Sequence, residues 1–290
     1  MATNFRQAPR PNYEYDIKRL TQEYEKALRA VQAEINSLFL TDFERAQIVA
    51  VEENIRAILR ELNRYGNAWT TATITKSAKD GVASTLFSLG LAETYEDAIK
   101  IARFNSLNKP LVEALIADTQ ADLLAVTQNV ERKTRAAVRQ ATADVLRTNT
   151  AAGINGTQTL QQELTKGIRK KLGSAADTAI VDAVGRRWKL NTYTEMLVRT
   201  KTMEAHKEAT INEALGNDSQ YAVISRHGAK DACSKWEGKV VALTPDAPGD
   251  FPYYGDLPRS EIFHPNCKHL LTPVRRPDRL PVDLRELNGI

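Results

Sequence analysis

Leu111 to Arg147 reads LVEALIADTQADLLAVTQNVERKTRAAVRQATADVLR, with neither glycine nor proline. Leu115, Leu123, Val130, Ala137, Val138, Ala141 and Val145 recur along it at helical spacing, which predicts one helix of roughly 35 residues, about 50 Å long at the helical rise. A helix of that length is either the spine of a bundle or an arm that reaches another subunit. It sets the fold class as mainly α: a body of long helices at the N-terminal end, followed by a small α+β C-terminal domain.

The segments before it agree. Residues 1–12 hold Pro9, Arg10 and Pro11 in a polar context and read as a flexible arm. Ile17, Leu20, Tyr24, Leu28, Val31 and Ile35 fall on one helical face, and so do Ile48, Val51, Ile55, Ile58, Leu59 and Leu62. Thr41 and Glu44 have the spacing of a capping box between the two stripes. Gly66 reads as the second helix's stop, which makes the pair a helical hairpin. Trp69 to Leu91 is expected to be irregular, broken by Gly81 and Gly90. Thr94 opens a short helix through about Phe104, with Asn105 and Pro110 as its stop.

After the long helix, Thr148 to Gly156 reads as a loop and marks the domain boundary, so that 13–150 is the helical body and 151–274 a separate module. Within the module Leu160–Leu172, Ala175–Val184 and Leu190–Leu215 are expected helices. Tyr221–Ser225, Lys239–Leu243 and Leu270–Val274 are expected strands, the third cut short by Pro273. Residues 275–290, with Pro277 and Pro281, read as an extended tail lying along a neighbour.

The chemistry-bearing residues crowd into the module's end. Both cysteines, Cys233 and Cys267, and three of the four histidines, His227, His264 and His269, lie there. His264 and Cys267 are spaced so that one tight turn presents two ligands. A structural zinc held by Cys233, His264, Cys267 and one of His227 or His269 fits that donor set. A disulfide between the two cysteines and a pair of buried thiols are the open alternatives. His206, inside the preceding helix, reads as a packing residue, and Trp236 and Gly238 as a core anchor and a turn. Arg199 and Glu204 read as the polar face of an amphipathic helix, with a buried pair as the other option. A second cluster is cationic: Arg169, Lys170, Lys171, Arg186, Arg187 and Lys189 would meet phosphates if the protein binds DNA, although a solvated helix end explains them equally.

Several function classes find no support. The net charge of +4 comes from interleaved acids and bases and does not demand a nucleic-acid partner. No apolar run is long enough to cross a membrane, and no leader peptide is evident, which reads as a product of the host cytoplasm. There is no G-x-S-x-G, phosphate-binding loop or H-E-x-x-H, so the expectation is a protein that is not an enzyme, with a metal-dependent nuclease as the remote alternative.

The order of these features resembles a known family. Glu195-Met-Leu-Val-Arg-Thr200, Ala205-His206, Ser225-Arg-His227, Cys233-Ser-Lys-Trp-Glu-Gly-Lys239 and Phe263-His-Pro-Asn-Cys-Lys-His269 follow one another as in the minor capsid (minor head) proteins of tailed bacteriophages, the Mu F-like and related Gram-positive phage groups. The likeness spans about Trp188 to Val274. It implies a structural protein of the virion, a few copies in the head interior near the portal vertex, with the portal protein or the major capsid protein as partner. Roles in head morphogenesis or DNA ejection, and contact with packaged DNA, are also implied. Some relatives carry a CxxC before the Trp-Glu-Gly element. Lys230 stands at the first of those cysteine positions here, which leaves the fourth metal ligand to His227 or His269.

Overall fold

The computed structural model describes residues 5–36, 45–152, 166–167, 170–171, 180–181 and 187–290. Its elements run α1 (Glu14–Asn36), α2 (Arg45–Ser88), α3 (Tyr95–Ile101), α4 (Asn108–Ala152), β1 (Ile180–Val181), β2 (Arg187–Trp188), α5 (Leu190–Gly216), β3 (Tyr221–Ile224), β4 (Val240–Ala242), β5 (Leu271–Val274) and α6 (Val282–Asn288). This is the expected mainly α chain with a small α+β region at its end. No helix among the described residues is long and apolar enough to cross a membrane.

The chain divides into two compact units that cut across the linear order: one takes Met1–Glu14, Thr70–Asp118 and Met196–Ile290, the other Tyr15–Trp69 and Thr119–Glu195. The second unit is helical. The stripes read from the sequence are buried: Ile17, Leu20, Tyr24, Val31 and Ile35 of α1, Val51, Ile55, Leu59 and Leu62 of α2, and Leu123, Val130, Ala137 and Val138 of α4. Polar bonds fix the helices' register: Trp69 Nε1 donates to the Asp16 carbonyl at 2.7 Å, and Thr127 Oγ1 to Asn63 Oδ1 at 2.7 Å. The segment expected as helix over Ala175–Val184 contributes a strand instead where it is described: Ile180 and Val181 pair antiparallel with Trp188 and Arg187. The capping box at Thr41–Glu44 and most of the Leu160–Leu172 helix lie outside the described residues. The expected loop after Thr148 is helical as far as Ala152; the rest of it is outside them.

The first unit carries the site. The helix α2 does not stop at Gly66 and is helical through Gly81 to Ser88, so the irregular stretch expected after Trp69 is helix. The reason lies in α5. A Cβ built on Gly81 would stand 2.3 Å from the His206 carbonyl oxygen, so this glycine is where two helix backbones touch. Small hydroxyl residues line the same seam: Ser77 Oγ donates to the Thr202 carbonyl at 2.5 Å, Thr85 Oγ1 to the Thr210 carbonyl at 3.2 Å, and Thr210 Oγ1 to the Gly81 carbonyl at 3.3 Å. These hydroxyls are satisfied by backbone carbonyls across the contact rather than breaking the helix. Thr94 does cap α3, accepting from the Asp97 amide. Pro110, expected as a stop, lies in the first turn of α4, where its missing N–H costs nothing. The N-terminal segment is irregular but tied down: the Arg6 guanidinium lies 4.0 Å from the centre of the Phe87 ring and donates to the Ala92 carbonyl.

The three expected strands form one antiparallel sheet ordered β4-β3-β5. Pro273 sits within edge strand β5 opposite Ala222, the place where a sheet tolerates proline. The pleat divides the sheet's residues between two cores. Ala222, Ile224, Val241 and Leu271 pack with Ile211 and Ala214 of α5 and with Cys233, Cys267, Tyr254, Ile262 and Phe263. Val223, Val240 and Val274 pack with Leu280 and Leu284. The second core corrects the extended-tail reading. Residues 282–288 are helical, and Asn288 Oδ1 accepts from the Val240 amide at 2.8 Å while its amide donates to the Gly238 carbonyl at 3.0 Å. The closing segment seals this chain's own sheet, because Leu280 and Leu284 at helical spacing offer an apolar face that the sheet's open side takes.

Candidate metal centre

The site hangs on three short irregular segments set around the sheet. Asp231 caps a 3-10 turn over Ala232–Trp236, its carboxylate accepting from the Cys233 amide, and this turn directs Cys233 inward, where it is buried. After β4 the chain wanders to Phe263 and Asn266, both at positive φ (57° and 66°). The turn between them is closed by the Cys267 amide donating to the His264 carbonyl at 2.9 Å, which brings His264 and Cys267 to one side. His269 follows two residues on, at 1% side-chain exposure.

The thiols are free, with Cys233 Sγ and Cys267 Sγ 3.8 Å apart, far beyond a bonded sulfur pair. His264 Nε2 lies 3.0 Å from Cys233 Sγ, and His269 Nδ1 3.3 Å from Cys267 Sγ. Cys233, Cys267 and His269 present ligand atoms that all lie within 4.8 Å of one another, as do Asp231, Cys233 and His264. A tetrahedral zinc with bonds of about 2.3 Å to sulfur and about 2.0–2.1 Å to nitrogen separates two sulfurs by roughly 3.8 Å and a sulfur from a nitrogen by roughly 3.6 Å. The donor spacing fits such an ion.

The outer layer fits as well. His264 Nδ1 lies 2.9 Å from the Pro265 carbonyl and His269 Nε2 lies 3.3 Å from Glu237 Oε1. In each ring one nitrogen has an oxygen acceptor and the other faces a sulfur, the arrangement that prepares an imidazole to ligate. Burial first, then the Cys267 sulfur, push the Cys233 thiol up to about 12. Without a cation Cys233 therefore stays protonated, and a thiolate at that position needs a positive ion beside it. Burial also lowers the pKa of His269, with the charge of His227 adding to it and Glu237 opposing.

His227 is not among the sulfurs. Its Nδ1 meets Glu237 Oε1 at 2.9 Å, and its ring lies against that of His269, centroids 4.1 Å apart. Of the two histidines left open as fourth ligand, the structure brings His269 to the thiols. Glu237 was named in the sequence only as part of the Trp-Glu-Gly-Lys element, and nothing in periodicity or spacing marks it as the carboxylate that two imidazoles share. Against a burial contribution that would raise it, the His227 and Ala229 amides and then His269 hold its carboxyl down at about 2. Lys207 was also missed. It is buried beside the cluster, its ammonium 4.2 Å from the centre of the Phe263 ring.

The other singled-out residues distribute as follows. His206 is fully buried in the α2–α5 seam, Nε2 3.4 Å from Ser84 Oγ. Arg199 pairs with both oxygens of Glu14 rather than with Glu204. Trp236 packs against the core and its indole N–H donates to Glu261 at 3.3 Å. Gly238 has φ +79, and a Cβ there would meet Arg226 and Leu287. Of the cationic set, Lys170 and Lys189 are exposed, Lys171 is paired with Asp144, Arg187 lies in β2, and Arg169 and Arg186 lie outside the described residues.

With that geometry in place, the sequence profile of the family described as phage minor capsid protein 2 matches residues 45–277, well over half of the chain. The chain belongs to that family. A structural protein of Lactococcus phage LL-H is 24% identical over 139 residues, which is 45% of this chain and 37% of that relative; the match thus spans little more than a third of the relative's length. No solved structure matches. This minor capsid protein is accordingly a structural component of a phage virion, and the matched region covers the whole cysteine and histidine cluster.

Proposed function

We propose that the minor capsid protein is a non-enzymatic component of the phage head, seated at the portal vertex, whose C-terminal region is locked by one structural zinc. The observation that carries the metal reading is the convergence of Cys233, Cys267 and His269 within 4.8 Å, with His264 against Cys233 supplying the fourth donor on rotation of its side chain. Two sulfurs and two nitrogens are a donor set suited to zinc. Four protein ligands leave no open coordination position, which favours a structural ion over a catalytic one and weighs against the nuclease reading.

Placement at the portal vertex rests on the family and on the helices. At 44 and 45 residues, α2 and α4 each extend about 65 Å, and long amphipathic helices suit docking on a large oligomer. DNA binding ranks lower as a role, since Lys171 is already engaged with Asp144 and the net charge is only +4. Cross-linking of intact virions followed by mass spectrometry tests the placement. Cross-links from Lys18, Lys26 or Lys109 to the portal protein are expected; cross-links confined to tail proteins would refute it.

A further inference from the structure

Five nitrogens are aimed at the half-buried carboxylate of Glu237. Its Oε1 accepts from the His227 amide at 2.7 Å and the Ala229 amide at 3.1 Å, and its Oε2 from the Gly228 amide at 3.3 Å. The same Oε1 meets His227 Nδ1 at 2.9 Å and His269 Nε2 at 3.3 Å. Gly228 has φ +76, which lets three consecutive amides turn toward one anion, the geometry of a backbone nest. The nest's anion is here a side chain of the protein itself. It stands at the bend between the turn that carries Cys233 and strand β4. Three features thus meet on one carboxylate: the 227–229 loop, the ring of His269 and, through that ring, the thiols.

We propose that Glu237 is the positioning residue of the metal centre, holding His269 with Nδ1 toward the cysteines while clamping the 227–229 loop, so that metal loading orders that loop. The inference rests on the metal reading above and adds to it which residue fixes the ligand and which surface responds. The physical step is simple. A cation on Nδ1 requires the proton on Nε2, and Glu237 Oε1 stands 3.3 Å from that nitrogen to accept it. The bond strengthens as the ring gives electron density to the metal. A carboxylate held in that way keeps its oxygens where the three amides need them. When the metal leaves, the ring is free to turn and one anchor of the carboxylate is lost. His227 then has a role distinct from ligation: it shares Glu237 Oε1 and packs its ring against that of His269, centroids 4.1 Å apart. It follows that removing His227 costs the centre much less than removing Glu237's charge.

The test uses the full chain with zinc as the probe. Apparent zinc affinity is read by competition with a chromogenic chelator for the wild type, Glu237→Gln and His227→Ala. Hydrogen exchange of the 227–229 amides is followed in the wild type with zinc and after chelation, a comparison that depends on no variant folding. One zinc per chain is expected, bound 10–100-fold more weakly by Glu237→Gln and nearly as tightly as in the wild type by His227→Ala. The 227–229 amides should exchange faster after chelation, and in Glu237→Gln even with zinc bound. Wild-type affinity in Glu237→Gln with the loop still protected overturns the inference. So does loss of zinc in His227→Ala, which would make His227 the ligand, and so do two zincs per chain, which would put Glu237 on a second ion. Each of these leaves the metal reading standing. A wild-type chain that takes up no zinc overturns that reading and the inference together.

Discussion

Replacing each of two glycines of α2 by alanine should give opposite results, because the two meet different neighbours. In a helix interior alanine is favoured over glycine by about 1 kcal/mol. At Gly66 nothing opposes that gain: the new Cβ would lie 3.7 Å from Leu123 Cδ1 and 4.0 Å from the Tyr24 hydroxyl, ordinary contact distances. At Gly81 the new Cβ would lie 2.3 Å from the His206 carbonyl oxygen and 3.1 Å from its carbon. Both are backbone atoms of α5 and cannot swing aside, so the helices must separate. Overpacking of this kind costs about 1–3 kcal/mol. Separation also stretches the Ser77–Thr202 and Thr210–Gly81 hydrogen bonds, each worth about 1 kcal/mol. Set against the propensity gain, Gly81→Ala should be destabilised by about 2–4 kcal/mol and Gly66→Ala stabilised by up to about 1 kcal/mol. Urea unfolding with an unchanged slope reads both, and faster hydrogen exchange over residues 77–88 should localise the Gly81 effect. A Gly81→Ala chain as stable as the wild type would refute the close-contact reasoning and the helix crossing with it.

The remaining predictions concern ionisable and metal-binding groups. Purified protein should contain zinc near one equivalent by elemental analysis, with Cys267→Ser largely depleted and chelation lowering the midpoint of thermal unfolding, since metal binding to the native state stabilises it by mass action; an unchanged midpoint with no metal found would refute the centre. His206 is pushed down from 6.5 to about 4 by burial, with Lys207 adding to it. The unfolded chain therefore binds its proton first, and this imidazole's contribution to stability is complete above about pH 6.5 and lost as pH falls toward 4, amounting to about 3 kcal/mol. The pH dependence of unfolding between 4 and 6.5 should be shallower in His206→Gln than in the wild type, and equal slopes would refute the assignment.

Repeating apolar spacing fixed much of this protein from sequence alone. The stripes of α1, the first half of α2 and α4 name their buried faces directly, because a helix buries the side that its own period sets. The three β-branched runs name the strands, and the cysteine and histidine crowding names the centre. What the sequence misread were places where a residue's meaning depends on what lies across from it. Gly81 and the serines and threonines around it look like a broken segment until α5 is laid against them. They then prove to be the small, self-satisfying residues that a close helix crossing needs. The proline-rich end looks extended until the sheet's open face is there to take Leu280 and Leu284.

The choice between His227 and His269 shows the same limit at the site. Both are one imidazole near a strand end, and spacing cannot rank them. Only the folded chain sets both rings on one oxygen of Glu237 and brings His269 to the thiols. Local sequence encodes period and propensity, which act over a few residues. Close approach and donor geometry are set between segments far apart in the chain, and so they exist only once the chain has packed.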